Sequence, residues 1–151
     1  MTTCTSHSGR ARAARGPYVT VLYAVLHLAP GTVQTERAGH ERPLLWHSGM
    51  GAEVMPSALG HPLGLLSDPA IDTQRILLAP GESLLLFTDD VTEATNAAGE
   101  FFGGERLRAV VATPDGGSAQ ALCDHTVMAL EAFRGAAPQA DDITLLALRA
   151  R

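Results

Sequence analysis

The chain has 151 residues, 46% of them hydrophobic, and a formal net charge of −5 from 11 basic and 16 acidic side chains. That length fits one domain able to bury roughly two-thirds of its unfolded surface. The acidic balance excludes nonspecific nucleic-acid binding, which relies on neutralising phosphates, and every base is an arginine.

Residues 1–16 are small, polar and basic, carrying Arg10, Arg12 and Arg15 and no acid. Without apolar periodicity they read as a disordered leader, and the domain is expected over 17–151. Residues 18–28 predict a long strand with apolar side chains on both faces. Ala29-Pro30-Gly31-Thr32 is turn chemistry, and residues 33–38 are expected to return as the second strand of a hairpin. Residues 43–48 and 52–55 form another strand pair around Gly49-Met50-Gly51. The stretch 56–70, with three prolines and two glycines, reads as an ordered surface loop.

A further hairpin is predicted from a strand over 71–78, a turn at Ala79-Pro80-Gly81-Glu82 and an apolar strand over 83–88. Residues 105–112 have helical spacing, with Leu107, Val110 and Val111 on one face. A longer helix is predicted from about Ser118, as N-cap, to Arg134, with Gly135 as its stop. Leu122, Cys123, Val127, Leu130 and Phe133 share one of its faces. A last strand is expected over 143–149. Strands, then helices, then one strand predict an α+β domain in which helices pack on antiparallel sheet. Turns this short leave no room for parallel crossovers.

Two cysteines, Cys4 and Cys123, make a disulfide framework implausible and point to a reducing, cytoplasmic compartment. No apolar run is long enough to span a bilayer. Neither a Gly-x-Ser-x-Gly nucleophile turn nor a Walker-type phosphate loop is present, and no His/Cys spacing suggests zinc.

What stands out are two acid pairs next to apolar strands, Asp89-Asp90 after residues 83–88 and Asp141-Asp142 before residues 143–149. Acids at the rim of a buried sheet suit a hard divalent cation such as Mg²⁺ or Mn²⁺. The plainer reading of each pair is a solvated strand end or turn. His40, after Ala38-Gly39, either reaches a phosphate or caps a turn. His47 and His61 read as structural, and Cys123 as a core residue.

Seven ordered segments carry a resemblance. They are Tyr18-Val19-Thr20-Val21-Leu22-Tyr23, Ala38-Gly39-His40, Pro62-Leu63-Gly64, Ala79-Pro80-Gly81-Glu82, Thr88-Asp89-Asp90-Val91-Thr92-Glu93-Ala94, Phe102-Gly103 and Gln139-Ala140-Asp141-Asp142-Ile143-Thr144. Over residues 17–149 the chain resembles PPM-type protein serine/threonine phosphatases of the SpoIIE branch. The resemblance implies an antiparallel β-sandwich flanked by helices and a pair of Mn²⁺ or Mg²⁺ ions activating water against phosphoserine or phosphothreonine. It implies a phosphorylated regulatory protein of the anti-anti-sigma type as substrate, and no covalent phosphoenzyme. Asp89 matches the metal ligand of the family's Thr-Asp-Gly motif, and Asp141 the first acid of its Asp-Asp-Ile-Thr motif. Asp90, Asp142 and His40 fall next to them.

Two departures shape the expectation. Asp90 replaces the family's Gly, adding a side chain where positive φ is usual and a charge beside the metal. Residues 1–17 lack the Asp-Val-Ser-Gly-His-Gly type segment whose Asp bridges the two metals. The chain thus reads as an N-terminally shortened phosphatase domain with weakened metal binding. The alternative is a pseudophosphatase or regulatory binding module that performs no hydrolysis.

Overall fold

The structure is a computed structural model that describes residues 2–6, 17–113 and 117–151. Their strands form two antiparallel sheets, and the chain divides into two compact units, one spanning 1–42 and 56–78, the other 43–55 and 79–151.

The first unit holds β1 (Thr2–Ser6), β2 (Thr20–His27), β3 (Thr32–Ala38) and β6 (Asp72–Leu77) in that order across the sheet. β2 and β3 make the expected hairpin, Leu22 opposite Arg37 and His27 opposite Thr32. β1 is a correction to the leader reading: Thr2–Ser6 form a strand in register with β2, Cys4 opposite Leu22. The remainder of that stretch, 7–16, lies outside the described residues. Gly39 has φ +71, and a Cβ there would fall 2.5 Å from Pro62 Cγ, so only glycine lets the 56–70 loop cross at this point.

The interior of this unit is notably polar. Thr20, Thr35, His40 and Asp72 are buried alongside Leu22, Val33 and Leu78. Asp72 takes hydrogen bonds from Arg37 Nε at 3.0 Å, Ala58 N at 2.8 Å and Gln74 Nε2 at 2.6 Å. Burial works to raise its pKa, yet these donors and the Arg37 charge together hold it below the ordinary value.

In the second unit the sheet order is β5 (Gly51–Val54), β4 (Leu44–His47), β7 (Ser83–Phe87) and β8 (Leu145–Arg149). Every residue of β7 is buried, as its uninterrupted apolar run predicts for an inner strand. The helices are α1 (Asp89–Glu93), α2 (Gly103–Ala112) and α3 (Ala119–Arg134). They cover one face of the sheet with a core of Leu44, Leu85, Phe87, Val91, Phe102, Leu107, Val111, Leu122 and Leu130. Each such leucine contributes roughly 1.5–3 kcal/mol by leaving water.

α3 starts where expected, since Ser118 Oγ accepts from Ala121 N at 3.0 Å, and stops at Gly135, φ +57. Its buried stripe is Leu122, Thr126 and Leu130, whereas Val127 is 39% exposed. Thr126 replaces Val127 in that stripe because its hydroxyl bonds back to Leu122 O at 2.8 Å, leaving no unsatisfied polar group.

The predicted 71–88 hairpin does not form: β6 pairs with β3, and β7 with β4 and β8. Leu78 N donates to Gly31 O in the first unit, and Gly81 N to Ala150 O in the second. The Ala79–Glu82 turn is therefore a crossing between sheets. Among the described residues, no helix is long and apolar enough to cross a membrane.

Candidate functional site

The end of β7 and the approach to β8 are fastened together by one residue. Thr88 N donates to Thr144 O at 3.2 Å, and Thr144 N donates to the buried Thr88 Oγ1 at 3.2 Å. Thr88 is the N-cap of α1 by backbone position, with no side-chain capping bond. The clasp brings residues from 90–95 and 138–143 to the walls of one cleft of about 90 Å³, room for several waters or a phosphoryl group.

Asp90, Glu93, Thr95, Arg134, Gln139 and Asp141 supply its polar lining, with Ala94, Pro138 and Ile143 among the rest. Phe102 N donates to Ala94 O at 2.8 Å and fixes the chain where the α1 wall ends. Asp141 is oriented by its neighbour, as Asp142 N donates to Asp141 Oδ1 at 2.8 Å. Gln139 Nε2 donates to Asp141 O at 2.8 Å.

Electrostatically this rim is under-compensated. Asp90 has its pKa raised, first by burial and then by the charges of Asp89 and Asp141; its own backbone N–H and the Thr88 hydroxyl offset this only in part. No pocket carboxylate is in an ion pair among the described residues, in contrast to the carboxylates of the Arg37–Asp72, His47–Glu53, His47–Glu82 and Arg108–Glu105 pairs.

Asp90 and Asp141 thus line one cleft, whereas Asp89, first residue of α1, is outside its lining, though close enough for its charge to act on Asp90. Asp142 is exposed and contributes its backbone N–H. His40 lies in the first unit, buried, its Nδ1 3.3 Å from Thr20 Oγ1, and is not part of the lining. The strain expected from Asp90 in place of Gly is absent: Asp90 is helical, and no described non-glycine residue has positive φ.

Sequence reasoning missed Glu93 and Arg134. Glu93 was visible inside the Thr-Asp-Asp-Val-Thr-Glu-Ala segment, one helical turn after Asp89–Asp90. Arg134 had no local signal beyond its place before the helix stop, where a cation complements the helix dipole.

As a donor set, carboxylate oxygens with no nitrogen or sulfur fit a hard, partly hydrated cation, a mode in which Mg²⁺ is held by one or two carboxylates together with substrate phosphate. The fit stops there. Among the described residues no group of three His, Cys, Asp or Glu is arranged to hold a metal, so these residues do not by themselves make a two-metal centre.

The two antiparallel sheets and their few helices match the PP2C phosphatase domain fold. The Mn-presoaked phosphatase domain of SpoIIE from Bacillus subtilis matches with a TM-score of 0.69 at 12% identity, over 87% of this chain and 56% of that one. The SiaA-PP2C domain of Pseudomonas aeruginosa matches with a TM-score of 0.71 at 19% identity, over 92% and 54%.

The sequence makes the assignment specific: the Stage II sporulation protein E (SpoIIE) family profile matches residues 4–151, and the chain belongs to that family. Protein IcfG of Synechocystis is 27% identical over 131 residues, which is 87% of this chain and 20% of IcfG. The chain spans about a fifth of that curated relative and little more than half of the structural relatives named here.

Proposed function

We propose that the chain is a metal-dependent phosphoprotein phosphatase domain acting on phosphoserine or phosphothreonine of a regulatory protein, of the anti-anti-sigma type, in the cytoplasm. The observation that carries it is the uncompensated carboxylate rim around Asp90 and Asp141, in a cleft large enough for a phosphoryl group. Family membership and the Mn-presoaked relative support Mn²⁺ or Mg²⁺ as the cation. In this reading Asp89 and Asp141 are the metal ligands, and Asp90 and Asp142 stand behind them, with His40 a further candidate.

A cation bound at this rim supplies Lewis acidity toward a phosphoryl oxygen and makes water a better nucleophile, effects worth several kcal/mol. The residues of this chain do the rest. Thr88 fixes the two acid-bearing segments to each other through Thr144. The Asp142 N–H holds one carboxylate rotamer of Asp141. Pro138, Ala94 and Ile143 give the cleft its apolar wall.

A specific observation favours a second reading. The absence of a three-residue metal cluster among the described residues suits a regulatory binding module that keeps the fold without hydrolysing its partner. Mn²⁺-dependent phosphate release from a phosphoserine peptide separates the two. The phosphatase reading expects release that Asp89→Asn and Asp141→Asn both abolish. Release indifferent to both substitutions removes the metal assignment, and no release with a phosphoprotein still bound favours the module.

A further inference from the structure

Arg134 closes one side of the acidic cleft without the carboxylate partner that Arg37 and Arg108 have. Arg37 is paired to Asp72 and Arg108 to Glu105. Arg106 lies over the Phe133 ring at 4.8 Å and Arg149 over Trp46 at 5.1 Å. Arg134 borders a cleft with three acids and pairs with none of them. Its Nη1 donates to Gln139 Oε1 at 3.2 Å and its Nη2 to Ala137 O at 3.5 Å, both neutral acceptors and the second a long contact. Its Nε is buried with no hydrogen-bond partner.

A guanidinium carries five N–H donors in a planar fork, and a buried donor without an acceptor is unfavourable until a ligand supplies one. Gln139 sets where that fork sits. Its carbonyl oxygen accepts from Arg134 while its amide nitrogen donates to Asp141 O, so the arginine and the acid-bearing loop are positioned by one side chain. The cleft therefore has a cation-seeking rim at Asp90, Glu93 and Asp141 and an anion-seeking corner at Arg134. A phosphomonoester held to a cation presents both requirements at once, since its remaining phosphoryl oxygens need donors.

We propose that Arg134, positioned by Gln139, recognises the phosphoryl oxygens of the substrate in this cleft. The proposal builds on the phosphatase reading by naming the residue that takes the anion. It is tested by titrating inorganic phosphate into the full chain, with and without Mn²⁺, for the wild type, Arg134→Ala, Arg134→Lys and Gln139→Glu, alongside Mn²⁺ titrations of each.

Arg134→Ala is expected to weaken phosphate binding about 10-fold or more, Arg134→Lys to restore part of it, and Mn²⁺ affinity to be unchanged or tighter. Gln139→Glu gives the guanidinium an internal carboxylate and is expected to weaken phosphate as well. A purely structural role for Arg134 would instead show as a lower melting temperature with phosphate affinity intact, and that result overturns the proposal. So does a wild type that binds no phosphate under either condition.

The two readings fail separately. Phosphate binding that depends on Arg134 in a chain that neither takes up Mn²⁺ nor hydrolyses phosphoserine keeps this assignment and removes the phosphatase. Mn²⁺-dependent hydrolysis with kcat/KM unchanged in Arg134→Ala does the reverse.

Discussion

The two units treat a buried aspartate in opposite ways. In the first, Asp72 is 1% exposed and sits among donors from Arg37, Gln74 and Ala58, which hold its pKa down. In the second, Asp90 is half-buried with Asp89 and Asp141 acting on it, and its pKa is pushed up. A carboxylate satisfied by its own fold has a structural job. One held near other acids without a cation is destabilising to the free chain and becomes useful when something positive arrives.

That contrast can be broken most severely at Asp72. Asp72→Ala leaves the Arg37 guanidinium with only the His40 and Ala58 carbonyls and no counter-charge, and should lower stability by about 3–5 kcal/mol, read from denaturant midpoints. Because the folded pKa of Asp72 lies below its ordinary 3.8, its contribution is complete above that pH and is lost as pH falls through the lowered value. A melt of the variant matching the wild type at neutral pH would mean that the Arg37–Asp72 pair is incidental.

Next comes the apolar core of the second unit. Leu107→Ala removes a fully buried side chain and should cost about 2–5 kcal/mol in the same assay.

Smaller effects sharpen the electrostatic half of the comparison. His47 lies with Nδ1 2.5 Å from Glu82 Oε1 and Nε2 3.1 Å from Glu53 Oε1, and its bond to Glu82 leads the effects that raise its pKa above 6.5. Glu82 is lowered from 4.5, as bonds from His47 and Ala79 N outweigh its burial. The charged clasp is therefore complete between about pH 4.5 and 6.5. It fades as pH rises through the raised His47 value, or falls through the lowered Glu82 value. His47→Gln should cost ~1 kcal/mol or less inside that window and nothing well above it, measured as melting temperature against pH.

The smallest shift has the opposite sign. Asp90→Asn in metal-free protein should raise stability by ~1 kcal/mol or less, because it removes one of three mutually repelling carboxylates. A loss of stability would place Asp90 in the same structural category as Asp72.

Much of this was readable from the residues. The β2–β3 and β4–β5 hairpins follow from local turn chemistry, and the ends of α3 from Ser118 and Gly135. The burial of β7 follows from five apolar or small residues in a row. What escaped depended on partners distant in sequence.

Ala79-Pro80-Gly81-Glu82 has the composition of a hairpin turn, but Ala150 and Gly31 decide which sheet each side joins. α1 is only five residues, two of them β-branched, and rests on the burial of Val91. At the site, the two acid pairs were legible because short motifs carry them. That Asp90 and Asp141 line one cleft depends on the Thr88–Thr144 bonds between residues 56 positions apart. Arg134 was invisible because its meaning lies in the acids across the cleft with which it does not pair.

On this reading the acids at the end of β7 and before β8 await a hard cation. Calorimetric titration of Mn²⁺ into the wild type and Asp141→Asn tests it most directly. Saturable binding is expected for the wild type, and the substitution should abolish it. Equal binding by both proteins, or none by the wild type at millimolar Mn²⁺, would contradict it.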